Sequence, residues 1–299
     1  MELKKPLTLD EQVNRLIEHG LVVQDREAAK RILARITYYR LSPYGIGLTI
    51  PGDKDHYQPN ITFEHLYELY HFDELLRGIL LPIVSQVEIS IRAQISYHLT
   101  LLYGADGYMN IDILNPCASR QQRESHKTFC SRFQAEVSHQ RNNLFVQHHK
   151  KKYGGRFPLW VATELFTFGM LSSLYDLLNK RNRADIASEF HTRPAYFRSW
   201  IISFVEIRNI CAHYGRIYNR PLTKQPKLYQ EHAGLPRGRI FPVLIALGRT
   251  IQDSKAWSDF LVSLQALIEN STFAKIEYMG FPDHWLDLLQ ATQNTFLQR

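Results

Sequence analysis

An all-α fold follows from three features of this 299-residue chain. Apolar residues recur with helical spacing in nearly every segment, capping signals open several of those segments, and no stretch keeps the regular alternation of a half-buried strand. Hydrophobic residues make up 44% and charged residues 22%. That is enough apolar surface for a sizeable core, and it excludes a disordered chain. The length admits one large domain or two of ordinary size.

Thr8-Leu9-Asp10-Glu11 has the form of a capping box and opens a short helix that ends at Gly20. Asp25 caps the next, through about Ile36. A loop rich in Gly, Pro and Asp at 45–60 then separates a small helical hairpin, with its linker over 1–58, from a body over 59–299. A short β-hairpin within 45–58 has only poor alternation to support it. From Thr62 the pattern is helical to about Leu102, with Pro82 kinking it or starting a second helix. Residues 103–118 read as a loop, and a basic insertion at 119–156 reads as one long helix over 120–152, closed by Gly154-Gly155. Further helices are expected from about Pro158 to Asn179 and near 183–190. Thr192 is placed to cap a helix with Pro194 in its first turn, running to about Asn219 before Pro221. After a Pro/Gly/basic loop at 221–239, two or three helices finish the chain.

The formal charge is +7, unevenly spread. Residues 119–156 hold nine Lys/Arg and two acids, and 207–250 hold eight Lys/Arg and one acid. Two basic zones on an acidic remainder suggest a polyanionic partner, most often nucleic acid. Cys117, Cys130 and Cys211 are too dispersed for a disulfide scaffold or a Cys-based zinc site. The N-terminus has no apolar run of the signal-peptide kind, and Glu88, Arg92, Glu164 and Glu206 interrupt the most apolar stretches. The expected setting is reducing and cytoplasmic, with no membrane span and no cofactor.

The segment from Glu206 to Arg220 carries the chemistry. On a helical wheel at about 100° per residue, Ile207, Ile210, Cys211, Tyr214, Ile217 and Tyr218 share one apolar face. Glu206, Arg208, Asn209, Ala212, His213, Arg216, Asn219 and Arg220 take the opposite arc. Arg208 and His213 lie five apart, near opposite margins of that arc, and Asn209 and His213 are i, i+4 neighbours. An imidazole can move a proton near neutral pH, and a guanidinium fork can stabilise charge developing on phosphorus. Those two roles suffice for attack by a ribose 2′-OH on its own phosphate without a metal.

Arg208-Asn209-(x)3-His213 is similar to the R-x(4–6)-H signature of HEPN-domain ribonucleases. The longer string RNICAHYGRIYNR, with ITYYRLSPY (36–44), VEISIR (87–92), PLWVATELFTFG (158–169) and MGFPDHW (279–285), resembles the Abi family of bacterial abortive-infection proteins, of the AbiD and AbiF kind. The resemblance implies a HEPN-type helical bundle, phage defence or toxin activity by RNA cleavage, and a homodimer whose paired motifs form one composite site. It also makes a small non-coding RNA antitoxin a possible partner. The bare spacing recurs at Arg92/His98, Arg120/His126, Arg132/His139 and Arg141/His148. Only Arg208/His213 has an Asn after the Arg and a one-sided polar arc.

On this reading His213 is the general acid/base, Arg208 stabilises the phosphorane, and Asn209 orients His213 or the phosphate. Arg216 and Arg220 hold flanking phosphates, while Lys150, Lys151, Lys152 and Arg141 grip RNA further off. Glu88 and Arg92, i, i+4 on one helix, read as a structural ion pair. Glu164 shares a face with Trp160, Phe168 and Leu171, so a largely buried acid paired with Arg92, Arg208 or Arg216 is expected, either orienting the site from behind or serving as a purely structural pair. Tyr38, Tyr39 and Tyr44 read as core residues of the hairpin, with base stacking as the alternative. His148 and His149 diverge on a helix and suit no metal. Two competing functions are a non-catalytic RNA-binding module that senses or sequesters a structured RNA, and a scaffold that docks an acidic protein.

Overall fold

The computed structural model describes residues 5–297, with side chains described through Gln293. Met1–Lys4, part of the charged start from which the lack of a signal peptide was read, lie outside the described residues, as do Gln298 and Arg299. Fourteen α-helices carry the described chain, and no strand forms among the described residues.

The N-terminal helices α1 (Leu9–Glu18) and α2 (Arg26–Ile36) pack on each other. Thr8 and Glu11 close the capping box, and Asp25 caps α2 by accepting from the Ala28 amide at 2.8 Å. A single turn, α3 (Tyr38–Leu41), leads into the loop. There, Ile50–His56 and Leu48–Gln58 backbone pairing leaves one bridge in place of a β-hairpin. A small core of Val13, Leu16, Leu21, Leu33 and Leu41 includes Phe63 and Leu66 from the first turn of the next helix.

That helix, α4 (Phe63–Tyr103), runs 41 residues without a break. Pro82 neither ends nor restarts it; its ring is exposed, and Gly78 stands four residues back, where a helical proline crowds the preceding turn. A short turn α5 (Ile111–Leu114) follows, and then the basic insertion. The insertion is two helices, α6 (Arg120–His139) and α7 (Leu144–Lys152), because Gln140–Asn143 forms a turn closed by the Asn143 amide on Gln140 O. Amides of the Asn type compete for backbone hydrogen bonds and favour such interruptions. The segment from Pro158 is likewise divided into α8 (Leu159–Ala162) and α9 (Phe168–Leu177), since Thr167 caps α9 on the Met170 amide.

After α10 (Lys180–Ser188) comes α11 (Pro194–Ala212), which packs against α4 and α9. Its N-cap is Arg193, not Thr192, and makes no side-chain capping bond. Its C-terminus falls seven residues before the expected Asn219. Three further helices close the body: α12 (Ile240–Gly248), α13 (Ser254–Glu269) and α14 (Trp285–Leu297). Every residue of α12 is buried, as expected for a helix apolar all round. Gly248 is required there, since a Cβ would lie 2.2 Å from Thr292 Oγ1. No helix among the described residues is long and apolar enough to cross a membrane.

Asp73, on α4 and wholly inaccessible to water, ties three distant segments together. Its Oδ2 accepts from Arg77 one turn on and from the Tyr44 hydroxyl at 2.6 Å. Its Oδ1 accepts from the amides of Ile217 and Tyr218 at 2.9 and 2.7 Å. Burial pushes the carboxyl above its usual range, against the pull of these donors. Tyr44 is thus buried, but in the core of the body and as an anchor, not in the core of the hairpin where the sequence placed it. Asp73→Ala would strand a buried guanidinium and two amides. It should cost about 3–5 kcal/mol in urea denaturation. Tyr44→Phe, losing one hydrogen bond, should cost about 1 kcal/mol.

Candidate functional site

Helix α11 ends where its hydrogen-bonding pattern turns over. His213 is the C-cap residue, with its amide on Asn209 O. The Tyr214 amide then bonds Cys211 O, and the Gly215 amide bonds Ile210 O at 2.7 Å. This is a Schellman ending, in which the residue after the cap takes the left-handed conformation. That residue is Tyr214, with φ 57°. Glycine normally occupies such a position, and a bulky side chain there is strained. The glycine comes one residue later, at Gly215, where a Cβ would have only 3.2 Å to Ile210 Cγ2.

The early stop corrects the wheel beyond Ala212. Tyr214 is 70% exposed and does not join the apolar face. Arg216 is half-buried and donates Nη1 to the carbonyls of Tyr218 and Asn219 at 2.7 and 3.2 Å. Burial lowers its pKa from the usual arginine value. Arg220 donates to Arg216 O, and Asn219 bridges Ile46 O and Arg239. These bonds commit Arg216 to the turn after the helix and away from a flanking phosphate, whereas Arg220 lends the turn only the one side-chain bond among the described residues, at 3.4 Å. Glu206 accepts from the backbone of Thr223 and Lys224, so it anchors the following loop.

What remains on one edge of α11 is Arg208, Asn209 and His213. Arg208 reaches across to α4, where its Nε donates to Glu88 Oε2 at 3.1 Å. The other Glu88 oxygen accepts from Arg92 at 2.9 Å, so one half-buried carboxylate holds two guanidiniums. Arg92 also donates to Phe166 O at 3.1 Å, and its buried Nη1 finds no acceptor among the described residues. The Glu88–Arg92 pair is therefore more than an intrahelical brace: it fixes Arg208 and the break before α9. Asn209 Oδ1 accepts from Arg208 Nη1 at 2.9 Å, so this amide orients the arginine and not His213. Asn209 and His213 are both exposed, and the His213 imidazole makes no hydrogen bond among the described residues.

Glu164 is exposed and pairs with none of the expected arginines among the described residues. The break at Phe166 rotates it away from the face it would share on a continuous helix. Arg141 lies exposed in the turn between α6 and α7, and Lys150, Lys151 and Lys152 are exposed at the end of α7. That end is seated through His149, which stacks on Phe157 at 5.2 Å and bonds Phe145 O. Cys211, inside the motif, is buried, and burial pushes its thiol up to about 12, which rules it out as a nucleophile near neutral pH. No three His, Cys, Asp or Glu side chains converge as metal ligands among the described residues.

Arg40 was not among the sequence candidates. Its Nη1 bonds Tyr214 O at 2.9 Å and holds the strained residue from outside. Tyr39 beside it is 86% exposed, against the expectation of core packing. No sequence signal marks Arg40. For Asp73 and Arg77, an i, i+4 charge pair within an apolar helical run was available.

Fold and site together define an all-helical protein with one exposed edge that joins a clamped guanidinium, an amide and an open imidazole. A family model described as Abi-like protein matches residues 31–219, and the chain belongs to that family. No curated protein and no solved structure matches it. The matched span includes every contact of Asp73 and of Glu88 described above.

Tyr214→Gly should relieve the left-handed strain and raise stability by up to about 1 kcal/mol, measured by urea denaturation. A loss of stability would show that the tyrosine ring, not the backbone conformation, governs this turn.

Proposed function

We propose that the chain is a metal-independent endoribonuclease of the HEPN type, acting in the cytoplasm as an abortive-infection effector or toxin. The observation that carries the proposal is the α11 edge itself. It sets an unencumbered imidazole one turn beyond an amide and a guanidinium that is already oriented by Glu88. Membership of the Abi-like family supports a defence role.

In this reading His213 takes the proton from a ribose 2′-OH and returns one to the leaving 5′-oxygen. Arg208 Nη2, which makes no bond among the described residues, faces the charge gathering on the phosphorane. A guanidinium fixed by Glu88 and Asn209 loses little freedom on binding, which favours stabilisation of the transition state over mere attraction of substrate. The cut leaves a 2′,3′-cyclic phosphate or 3′-phosphate and a 5′-hydroxyl.

Purified protein should therefore cleave RNA in EDTA. Rates should fall about 10²–10⁴-fold in His213→Ala and about 10²–10³-fold in Arg208→Ala. Glu88→Gln should lower the rate through Arg208 while His213 is intact. Equal rates in wild type and His213→Ala would sink the proposal. Tight, salt-sensitive binding with no cut product would identify the non-catalytic RNA-binding module instead.

A homodimer completes the proposal. Ile89, Tyr97 and Leu101 on α4 are 63, 62 and 69% exposed, and with Ala93 they form an i, i+4 stripe. The stripe begins one residue from Glu88, so a second copy seated there would lie beside the Arg208 cluster. Light scattering should report a dimer for wild type and a monomer for an Ile89→Asp/Leu101→Asp double variant. A small non-coding RNA is the proposed restraining partner.

A further inference from the structure

A second cleft is lined by none of the side chains of the site above. It opens between α6 and the side formed by α9, α10 and α11, and it has two adjoining compartments of about 540 and 650 Å³. Gln122 and Arg183 line both. Each is of a size that holds one small organic group, and their chemistry differs.

The first compartment offers hydrogen-bonding side chains: Gln121, Gln122 and Ser125 from α6, and Ser173 from α9. Its one carboxylate, Asp176, is neutralised by Arg198 through bonds of 2.6 and 2.8 Å. The second is lined by Leu102, Tyr103 and Pro116 together with Lys180 and Arg181, and the Tyr103 hydroxyl is held by Asn179 and Asn182. Lys180 forms no ion pair among the described residues, and Arg181 approaches Asp185 only to 3.9 Å. Between the compartments stands Arg183. Its backbone is fixed by the Tyr175 hydroxyl on Arg183 O at 2.8 Å. Its guanidinium has no ion pair or side-chain hydrogen bond among the described residues, and its Nε is buried without an acceptor, so the partly exposed outer end of the side chain is what a ligand would meet.

We propose that this cleft binds a dinucleotide step of single-stranded RNA, with the phosphodiester on Arg183 and one base in each compartment. A guanidinium with no protein partner and a partly exposed end suits a phosphate oxygen. The polar compartment reads a base edge, and the Tyr103 ring takes a base by its face. A duplex presents its bases stacked and paired and cannot divide them between two compartments. The identity of the polymer rests on the nuclease reading; the cleft, its cations and its division do not.

The test uses the whole wild-type chain and a single-stranded 2′-O-methyl oligoribonucleotide, which lacks the attacking hydroxyl and stays intact. Arg183→Gln should weaken binding about tenfold and reduce the salt slope of log K by about 0.7. The exposed pair Lys180→Ala/Arg181→Ala should also weaken binding, and serves if Arg183→Gln folds poorly. Cys117 is exposed and lines the second compartment, so bound oligonucleotide should slow its alkylation several-fold. Unchanged affinity in both variants, or an unprotected Cys117 in the saturated complex, would overturn the assignment. Protection by mononucleotides, or by a duplex, as good as that by the oligonucleotide would overturn it as well. The nuclease reading fails on a separate result, the survival of RNA with free 2′-hydroxyls.

Discussion

Helix α4 carries two carboxylates that face α11 or the turn after it, and each holds backbone or side chains from a distant part of the sequence. Asp73 is sealed from water, and a buried carboxylate is tolerated only when its lone pairs are filled. Its donors are Arg77, Tyr44 and the amides of Ile217 and Tyr218. The last two amides belong to the stretch just after α11, so the pathway out of that helix is set by a residue about 140 positions earlier. Glu88, four turns along α4, does the same for the Arg208 side chain. Because one rigid helix holds both, the end of α11 and its guanidinium are positioned relative to each other.

The turn that results is strained where function is proposed. Tyr214 occupies a left-handed position next to His213 while glycine stands one place later. Strain of this kind persists only when its surroundings over-determine it. Here they do: the Schellman bonds fix both flanking amides, Arg40 holds the Tyr214 carbonyl, and Asp73 holds the chain two residues beyond Gly215. The imidazole of His213 is thereby placed at the helix end and left open to solvent.

The positive charge separates into groups with different tasks. In the 207–250 zone, Arg208 is clamped at the site, whereas Arg216, Arg220 and Arg239 brace the turn. In the 119–156 zone, Lys150, Lys151 and Lys152 are exposed on α7, while α6 contributes one wall of the cleft that Arg183 divides. Counting cations by segment does not distinguish a brace from a free donor; the carbonyls around Arg216 do.

The sequence alone determined the helical class and the hairpin caps at Thr8 and Asp25, and it singled out Arg208, Asn209 and His213 as the residues on which the proposed function rests. These depend on periodicity and on side chains acting within four residues of their own backbone, which is local information. Tertiary structure decided where the helices stop and which polar groups meet. The wheel ran on to Asn219 because Gly215, the local stop signal, lies one place past the usual left-handed position; Asp73 and Arg40 hold the turn in which Tyr214 takes that position instead. Glu164 was expected to be buried because a continuous helix would carry it inward, whereas Thr167 captures the chain for a new helix. Arg216 was read as a phosphate ligand by its position on an arc that does not extend that far. The Glu88–Arg92 spacing was legible, but its partner Arg208 lies 120 positions away, and only the packing of α11 on α4 brings the two together.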